Sequence, residues 1–119
     1  MRIPISKFLP VSLLLLLVNG VALAQNATGS IRGAVTDEQG AALPNATVMV
    51  TNKATDSARK LTTNSDGSYA AENLLPGEYE VRIDLQGFIS QLRLLTVQIG
   101  RTTVVDVTMQ VGGASELSI

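Results

Sequence analysis

Leu74-Leu75-Pro76-Gly77-Glu78-Tyr79-Glu80-Val81-Arg82-Ile83-Asp84-Leu85-Gln86-Gly87-Phe88 reads as a tight turn followed by a strand with sorted faces. Pro76 presets φ and Gly77 accepts a positive φ, the pair that a type II turn places at its two central positions. Beyond the turn, Tyr79, Val81, Ile83 and Leu85 alternate with Glu80, Arg82 and Asp84. Successive strand side chains point to opposite faces, so one face is apolar and the other charged. A helix would scatter these charges through its buried stripe. The segment is a half-buried strand, and it needs a second sheet to cover it.

The flanking sequence supplies that cover. Upstream, Ile31, Gly33 and Val35 alternate with Arg32, Ala34 and Thr36, a first strand. Asp37-Glu38-Gln39-Gly40 is turn chemistry. Pro44 has no N–H for a central ladder, so the connection through Leu43-Pro44 runs along an edge or over the end of the sheets. Ala46, Val48 and Val50 mark a second strand, and Arg59 to Thr63 an exposed third whose lysine blunts edge association. Asn64-Ser65-Asp66-Gly67 turns the chain into a short fourth strand, Ser68 to Ala71.

Downstream of the fifth strand the phase slips. Leu92 and Leu94 hold even positions, whereas Leu95, Val97 and Ile99 hold odd ones, which predicts a β-bulge. Val105, Val107, Met109 and Val111 alternate with Val104, Asp106 and Thr108 as the last strand. About seven short strands with regular turn signals and no helical period predict an all-β, antiparallel Greek-key sandwich. The expected division is a signal peptide over 1–24, a flexible lead-in over 25–30, the sandwich over 31–111 and a linker or tail over 112–119.

The first 24 residues stand apart. Arg2 and Lys7 precede an 11-residue apolar run, Phe8 to Val18, and the segment ends Ala22-Leu23-Ala24. The run is shorter than the roughly 20 residues of a spanning helix, so cleavage is predicted between Ala24 and Gln25, leaving no membrane span. Losing Arg2 and Lys7 leaves seven basic against ten acidic residues. This balance offers no basic patch for nucleic acid and no polybasic run for a membrane surface.

The chain has no His and no Cys. The usual zinc ligand sets, Ser-His-Asp and Cys-His arrangements, disulfides and a lipid-modified cysteine are all excluded. Glu80, Asp84 and Asp106 fall on outward faces and Asp37 and Asp66 in turns, where nothing buries a carboxylate to tune it. Asn64, Asp66 and Asp56 lack the ligand pattern of a calcium loop and read as turn formers. The expectation is no catalytic residue, no cofactor and no metal. Asn26-Ala27-Thr28 and Asn45-Ala46-Thr47 fit the glycosylation sequon, a coincidence if the protein is bacterial.

Four fragments in order carry a family resemblance: Gly33-x-Val35-x-Asp37-x-x-Gly40-x-x-Leu43-Pro44-x-Ala46-x-Val48, Thr63-x-x-Asp66-Gly67-x-Tyr69, Leu74-x-Pro76-Gly77-x-Tyr79, and Gly87-Phe88. Over about Ile31 to Val111 the sequence resembles a carboxypeptidase regulatory-like domain, the transthyretin-like sandwich grouped with Cna-B-type modules. Tyr79 looks like a tyrosine corner, its ring in the core and its hydroxyl on backbone near Leu75. Gly33, Asp37, Gly40, Pro44, Asp66, Gly67, Pro76, Gly77 and Tyr79 are then fold-making residues.

The resemblance implies a non-catalytic appendage. A signal peptide, one such sandwich and a Gly/Ser-rich link are similar to the start of TonB-dependent outer-membrane receptors. The expectation is therefore an exported interaction or spacer domain in the periplasm or outer membrane of a Gram-negative bacterium, or a secreted one. It would stand alone or precede receptor domains missing from this sequence, and its partner would be an envelope protein. Hydroxyisourate hydrolases share the sandwich but work through histidines, so that activity is rejected. The Lys–Asn isopeptide bond of some Cna-B modules is not carried over either, because Lys53 and Lys60 fall in a loop and an exposed strand. The alternative is a carbohydrate- or peptide-binding module, with Phe88 as the one candidate ligand contact.

Overall fold

The computed structural model describes residues 27–112 and 117–119. Among these residues nine strands follow one another: β1 (Gly29–Thr36), β2 (Thr47–Asn52), β3 (Ala58–Thr62), β4 (Ser68–Leu74), β5 (Gly77–Asp84), β6 (Ser90–Val97), β7 (Thr102–Val104), β8 (Val107–Thr108) and β9 (Leu117–Ser118). One sheet has the order β3-β2-β5-β6-β9; in the other, β1 lies between β4 and the pair β7 and β8. The all-β sandwich expected from the sequence is the architecture of the chain. No helix among the described residues is long and apolar enough to cross a membrane.

β5 sits at the centre of the larger sheet, antiparallel to β2 on one side and β6 on the other. Its Tyr79, Val81 and Ile83 are buried, in register with Val48 and Val50 of β2. Against them lie Ile31 and Val35 of β1, Tyr69 and Ala71 of β4, and Val107 and Met109 from the end of the domain. Burying each of the larger aliphatic side chains contributes about 1.5–3 kcal/mol. The charged alternate positions of β5 face solvent, where Arg82 pairs with Asp84 at 3.0 Å.

Several local expectations are corrected. β1 pairs antiparallel with β4 but parallel with β7 and β8. The direction follows from where the chain leaves β6. Gly100 N–H donates to Thr28 O (2.9 Å) and Ser30 N–H to Arg101 O (3.0 Å), so the next strand starts beside the beginning of β1 and runs with it. Because it crosses over from the other sheet, no hairpin reversal is imposed. The lead-in is also shorter than expected: Gly29 and Ser30 belong to β1, and Gly29 is buried where a Cβ would lie 2.3 Å from Gln98 O.

The expected bulge in β6 is not there. Gly77↔Val97 through Ile83↔Gln91 pair without a shift, and the irregularity lies instead in β1, between Gly29 and Ile31. The slipped pattern has another cause. Leu92 and Leu94 sit on the outward face, while Gln91, which is buried, and Arg93 take inward positions.

The last strand is broken into β7 and β8 at Val105–Asp106, and Val111, expected inside, is 78% exposed. Val111 is bridged through its backbone to Phe88. Leu117 and Ser118, within the expected tail, form β9 beside Ser90 and Gln91. Two residues are too few to show a strand period in sequence. β3 is the exposed edge that was expected, and Arg59 donates from there to the Glu72 carbonyl of β4, bridging the two sheets. The proposed signal peptide and its Ala24–Gln25 cleavage point lie outside the described residues.

Candidate functional site

The turns at 37–40, 44–45 and 64–67 lie at one end of the sandwich, and the turn at 76–77 lies at the other. Asp37 Oδ1 accepts from the N–H groups of Gln39 and Ala41, each at 2.9 Å, and Gly40 takes φ 84° to close that turn. In the 64–67 turn the acceptor is Asn64 rather than Asp66: its Oδ1 takes the N–H groups of Asp66 and Ser68 at 3.0 Å, and the Asp66 side chain is left in solvent. Gly67 has φ 73° and lies so close to β1 that a Cβ would be 2.6 Å from Val35 O. Pro44 is exposed and precedes Asn45 at φ 64°, so Pro followed by a left-handed residue occurs here. At Pro76-Gly77 it does not: Gly77 has φ 143°, far from the roughly +80° of a type II turn, and the left-handed residue is Asn73 at 56°.

Two tyrosines lock the ends of the core. Tyr79 Oη donates to Leu75 O at 2.7 Å and accepts from Asn52 Nδ2 at 3.3 Å. Asn52, buried at the end of β2, also accepts the Ala54 N–H at 2.9 Å. Tyr69 Oη donates to Val105 O at 2.6 Å, across the break in the last strand. Gly33 is the reason that carbonyl can come so near, since a Cβ there would stand 1.8 Å from it. The Asp106 carboxylate replaces a ladder acceptor, taking the Ala34 N–H at 2.9 Å. Burial raises the Tyr69 pKa, the charge of Asp106 adds to this, and Arg93 opposes it.

Asn64 is the turn former that the sequence suggested; sequence reasoning missed the bonding roles of Asn52, Thr63 and the Tyr69 hydroxyl. Thr63 is buried, its Oγ1 donating to Leu43 O (2.7 Å) and accepting from Ala46 N–H (2.9 Å). A polar residue at the junction of a strand and a polar turn was the available signal for Asn52 and Thr63.

Phe88 occupies the rim of an open groove of about 460 Å³, shared with Asn45, Thr47, Asp84, Leu85, Gln86 and Ser90. The ring is half-buried against the core, and the backbone is held by Phe88 N–H to Leu85 O at 3.0 Å. Asp84 accepts from the Ser90 hydroxyl and from Arg82 Nε. Partial burial alone would raise its pKa; the Ser90 and Arg82 bonds outweigh that and hold the carboxyl below its ordinary range. The groove thus offers a fixed negative charge, four neutral polar side chains and an apolar ring. A second open groove, about 600 Å³, runs over the outer face of the smaller sheet between Arg32, Ala70 and Val104. Asp56 and Asp66 belong to no group of acidic or metal-ligating residues among those described that could hold an ion.

A model of the carboxypeptidase regulatory-like domain matches residues 30–110, well over half of the sequence. The chain belongs to that family. No curated protein sequence matches this chain. In three dimensions this carboxypeptidase regulatory-like domain is similar to the Bacillus anthracis TIE protein (TM-score 0.63, 22% identity, 71% of this chain and 17% of that one). It is also similar to GBS52, the minor pilin of Streptococcus agalactiae (0.60, 17%, 79% and 49%), and to hydroxyquinol 1,2-dioxygenase from Pseudomonas putida DLL-E4 (0.61, 10%, 76% and 59%). The chain spans less than two thirds of each. At these identities the likeness is one of fold, and a sandwich that occurs in both a pilin and a dioxygenase leaves function to be argued from side chains.

Proposed function

We propose that this is a non-catalytic, exported β-sandwich module acting as an interaction or spacer domain in the cell envelope, with the N-terminal extension of a TonB-dependent receptor as its setting. The observation that carries this reading is the use made of buried polar groups. Among the described residues every buried side-chain nitrogen and oxygen has a hydrogen-bond partner. Asn52, Thr63 and Tyr69 each bond backbone of the scaffold itself. Groups held in this way fix strands; a catalytic group needs a free functional atom aimed at a substrate. The pilin-like fold and the apolar N-terminal segment fit an envelope module.

Two measurements test the proposal. Expressed whole in a Gram-negative host, the protein is expected in the periplasmic or outer-membrane fraction with Gln25 as its first residue; an unprocessed cytoplasmic product refutes export. The purified domain is expected to turn over no ester, peptide or glycoside substrate, and measurable hydrolysis that survives repurification refutes the non-catalytic reading. A plug-like reading frame after the codon for Ile119 would support the receptor setting.

The groove at Phe88 favours a second reading, a glycan-binding module. An aromatic ring beside Asp84, Gln86 and Asn45 offers a sugar one apolar face and several hydrogen-bonding groups. Glycan-array binding lost in Phe88→Ala, with the thermal transition retained, would support it; an array blank at millimolar monosaccharide would dismiss it.

A further inference from the structure

We propose that the open edge of β6 binds an extended peptide as a parallel added strand, where the chain's own Leu117–Ser118 now lies. The direction of the backbone groups can be read from the neighbouring strands. Lys53 N–H donates to Glu78 O at 3.0 Å, so the even-numbered residues of β5 turn their N–H and C=O groups toward β2. Its odd-numbered residues face β6, where Tyr79, Val81 and Ile83 pair with Leu95, Arg93 and Gln91. Backbone groups alternate along a strand, so Ser90, Leu92, Leu94 and Thr96 point theirs away from β5.

Among the described residues, a strand covers only the first part of that edge. β9 pairs at Ser90 and Gln91, in parallel. Further along, side chains reach two of the outward carbonyls: Arg93 donates to Leu92 O at 3.0 Å and Thr103 to Thr96 O at 3.5 Å. Leu94, midway between them, pairs with no added strand among the described residues, and its side chain is 58% exposed.

The tail shows what kind of strand fits. Leu117 lies opposite Ser90, on the outward face, and continuing the register places Ile119 beside Leu92. The next apolar residue in such an alternation would lie beside Leu94. The tail itself gains little from its position, with Leu117 46% and Ile119 81% exposed. A longer strand of the same alternation covers more of the edge and displaces it. Strand addition to an exposed edge is a general mode of peptide recognition, with main-chain bonds giving affinity and alternate side chains giving selectivity. Exchange of tails between two copies replaces one two-residue pairing by an identical one, so a longer partner segment is the favoured occupant. The inference deepens the reading of this domain as an interaction module, naming the surface and the chemistry of the partner.

The test uses the whole secreted protein and a synthetic eight-residue peptide, Glu-Leu-Ser-Ile-Thr-Val-Thr-Val, which repeats the tail's end and extends its alternation. Expected are saturable binding by fluorescence anisotropy and slower amide hydrogen exchange at Leu92, Leu94 and Thr96. Removing 113–119 should tighten binding at least fivefold. Leu94→Pro, which deletes an N–H that β5 does not use, should abolish it. Leu94→Lys, which keeps the ladder whole and charges the edge, should weaken it at least tenfold. No binding, protection confined to Ala58–Thr62, affinity unchanged in both Leu94 variants, or self-association that disappears when 113–119 are removed would each overturn the proposal. None of these results bears on export or on the absence of turnover, so the spacer reading stands or falls separately.

Discussion

Gly33→Ala is the sharpest perturbation available in this fold. A Cβ at this position stands 1.8 Å from Val105 O and 2.8 Å from Tyr69 Oη, whereas real Cβ contacts essentially never fall under 3.0 Å. Relief requires the last strand to retreat by about 1.2 Å. Overpacking of this kind costs about 1–3 kcal/mol. The retreating carbonyl also abandons the Tyr69 hydroxyl, now bonded at 2.6 Å, and a buried hydroxyl left without a partner adds about 1–3 kcal/mol. The expected loss is about 3–4 kcal/mol, a large share of the roughly 5–10 kcal/mol that hold a domain this small together. In urea, with a slope of about 1–3 kcal/mol per molar, the midpoint should fall by at least about 1 M with the slope unchanged. Tyr69→Phe alone should cost about 1–2 kcal/mol, and the double variant less than the sum, because both act through the Val105 carbonyl. A Gly33→Ala midpoint within about 0.3 M of the parent, or strict additivity with Tyr69→Phe, would refute the close approach of β1 to the last strand.

Tyr79→Phe removes the bonds to Leu75 O and Asn52 Nδ2 while keeping the ring, and should lower stability by about 1–2 kcal/mol in chemical denaturation. In that variant Tyr69 is the only tyrosine left. Its folded pKa is raised, so it stabilises the fold below the unfolded value of about 10 and ceases to do so as pH climbs toward the folded one; phenolate absorbance should therefore appear together with unfolding, not before it. Asp84 has a lowered folded pKa, so its contribution is present above the unfolded value of about 3.9 and is lost as pH falls through the folded one. Ser90→Ala should flatten that acid limb, with thermal scans between pH 5 and 2 as the readout, by a modest amount because the carboxylate is 41% exposed.

The large sheet was legible because β5 alternates strictly between apolar and charged residues, and a strict period of two admits only one buried face. Tyr79 and its bond to Leu75 could be placed because the partner is four residues away. Tyr69 could be phased inward, but its hydroxyl partner is 36 residues on, set by the route of another strand. The direction of β7 and β8 was illegible for the same reason, since no local pattern records where the chain emerges from β6. In β6 the residues violate the alternation, with Arg93 inside and Leu94 outside, and a true bulge would have left the same trace. Of the candidate contact at Phe88, the sequence revealed the ring but not the Asp84–Ser90 pair beside it.

The parallel seam between β1 and the closing strands bears on how the molecule carries tension. The polypeptide enters β1 at one pole of the sandwich, and β8 departs at the opposite pole. A pull applied through both flanks would therefore drag the two strands past each other along their length, straining the bonds of Ser30, Arg32, Ala34 and Thr36 together. An antiparallel seam gripped at adjoining ends would be peeled open one rung at a time. The arrangement suits a link that must transmit traction without unravelling.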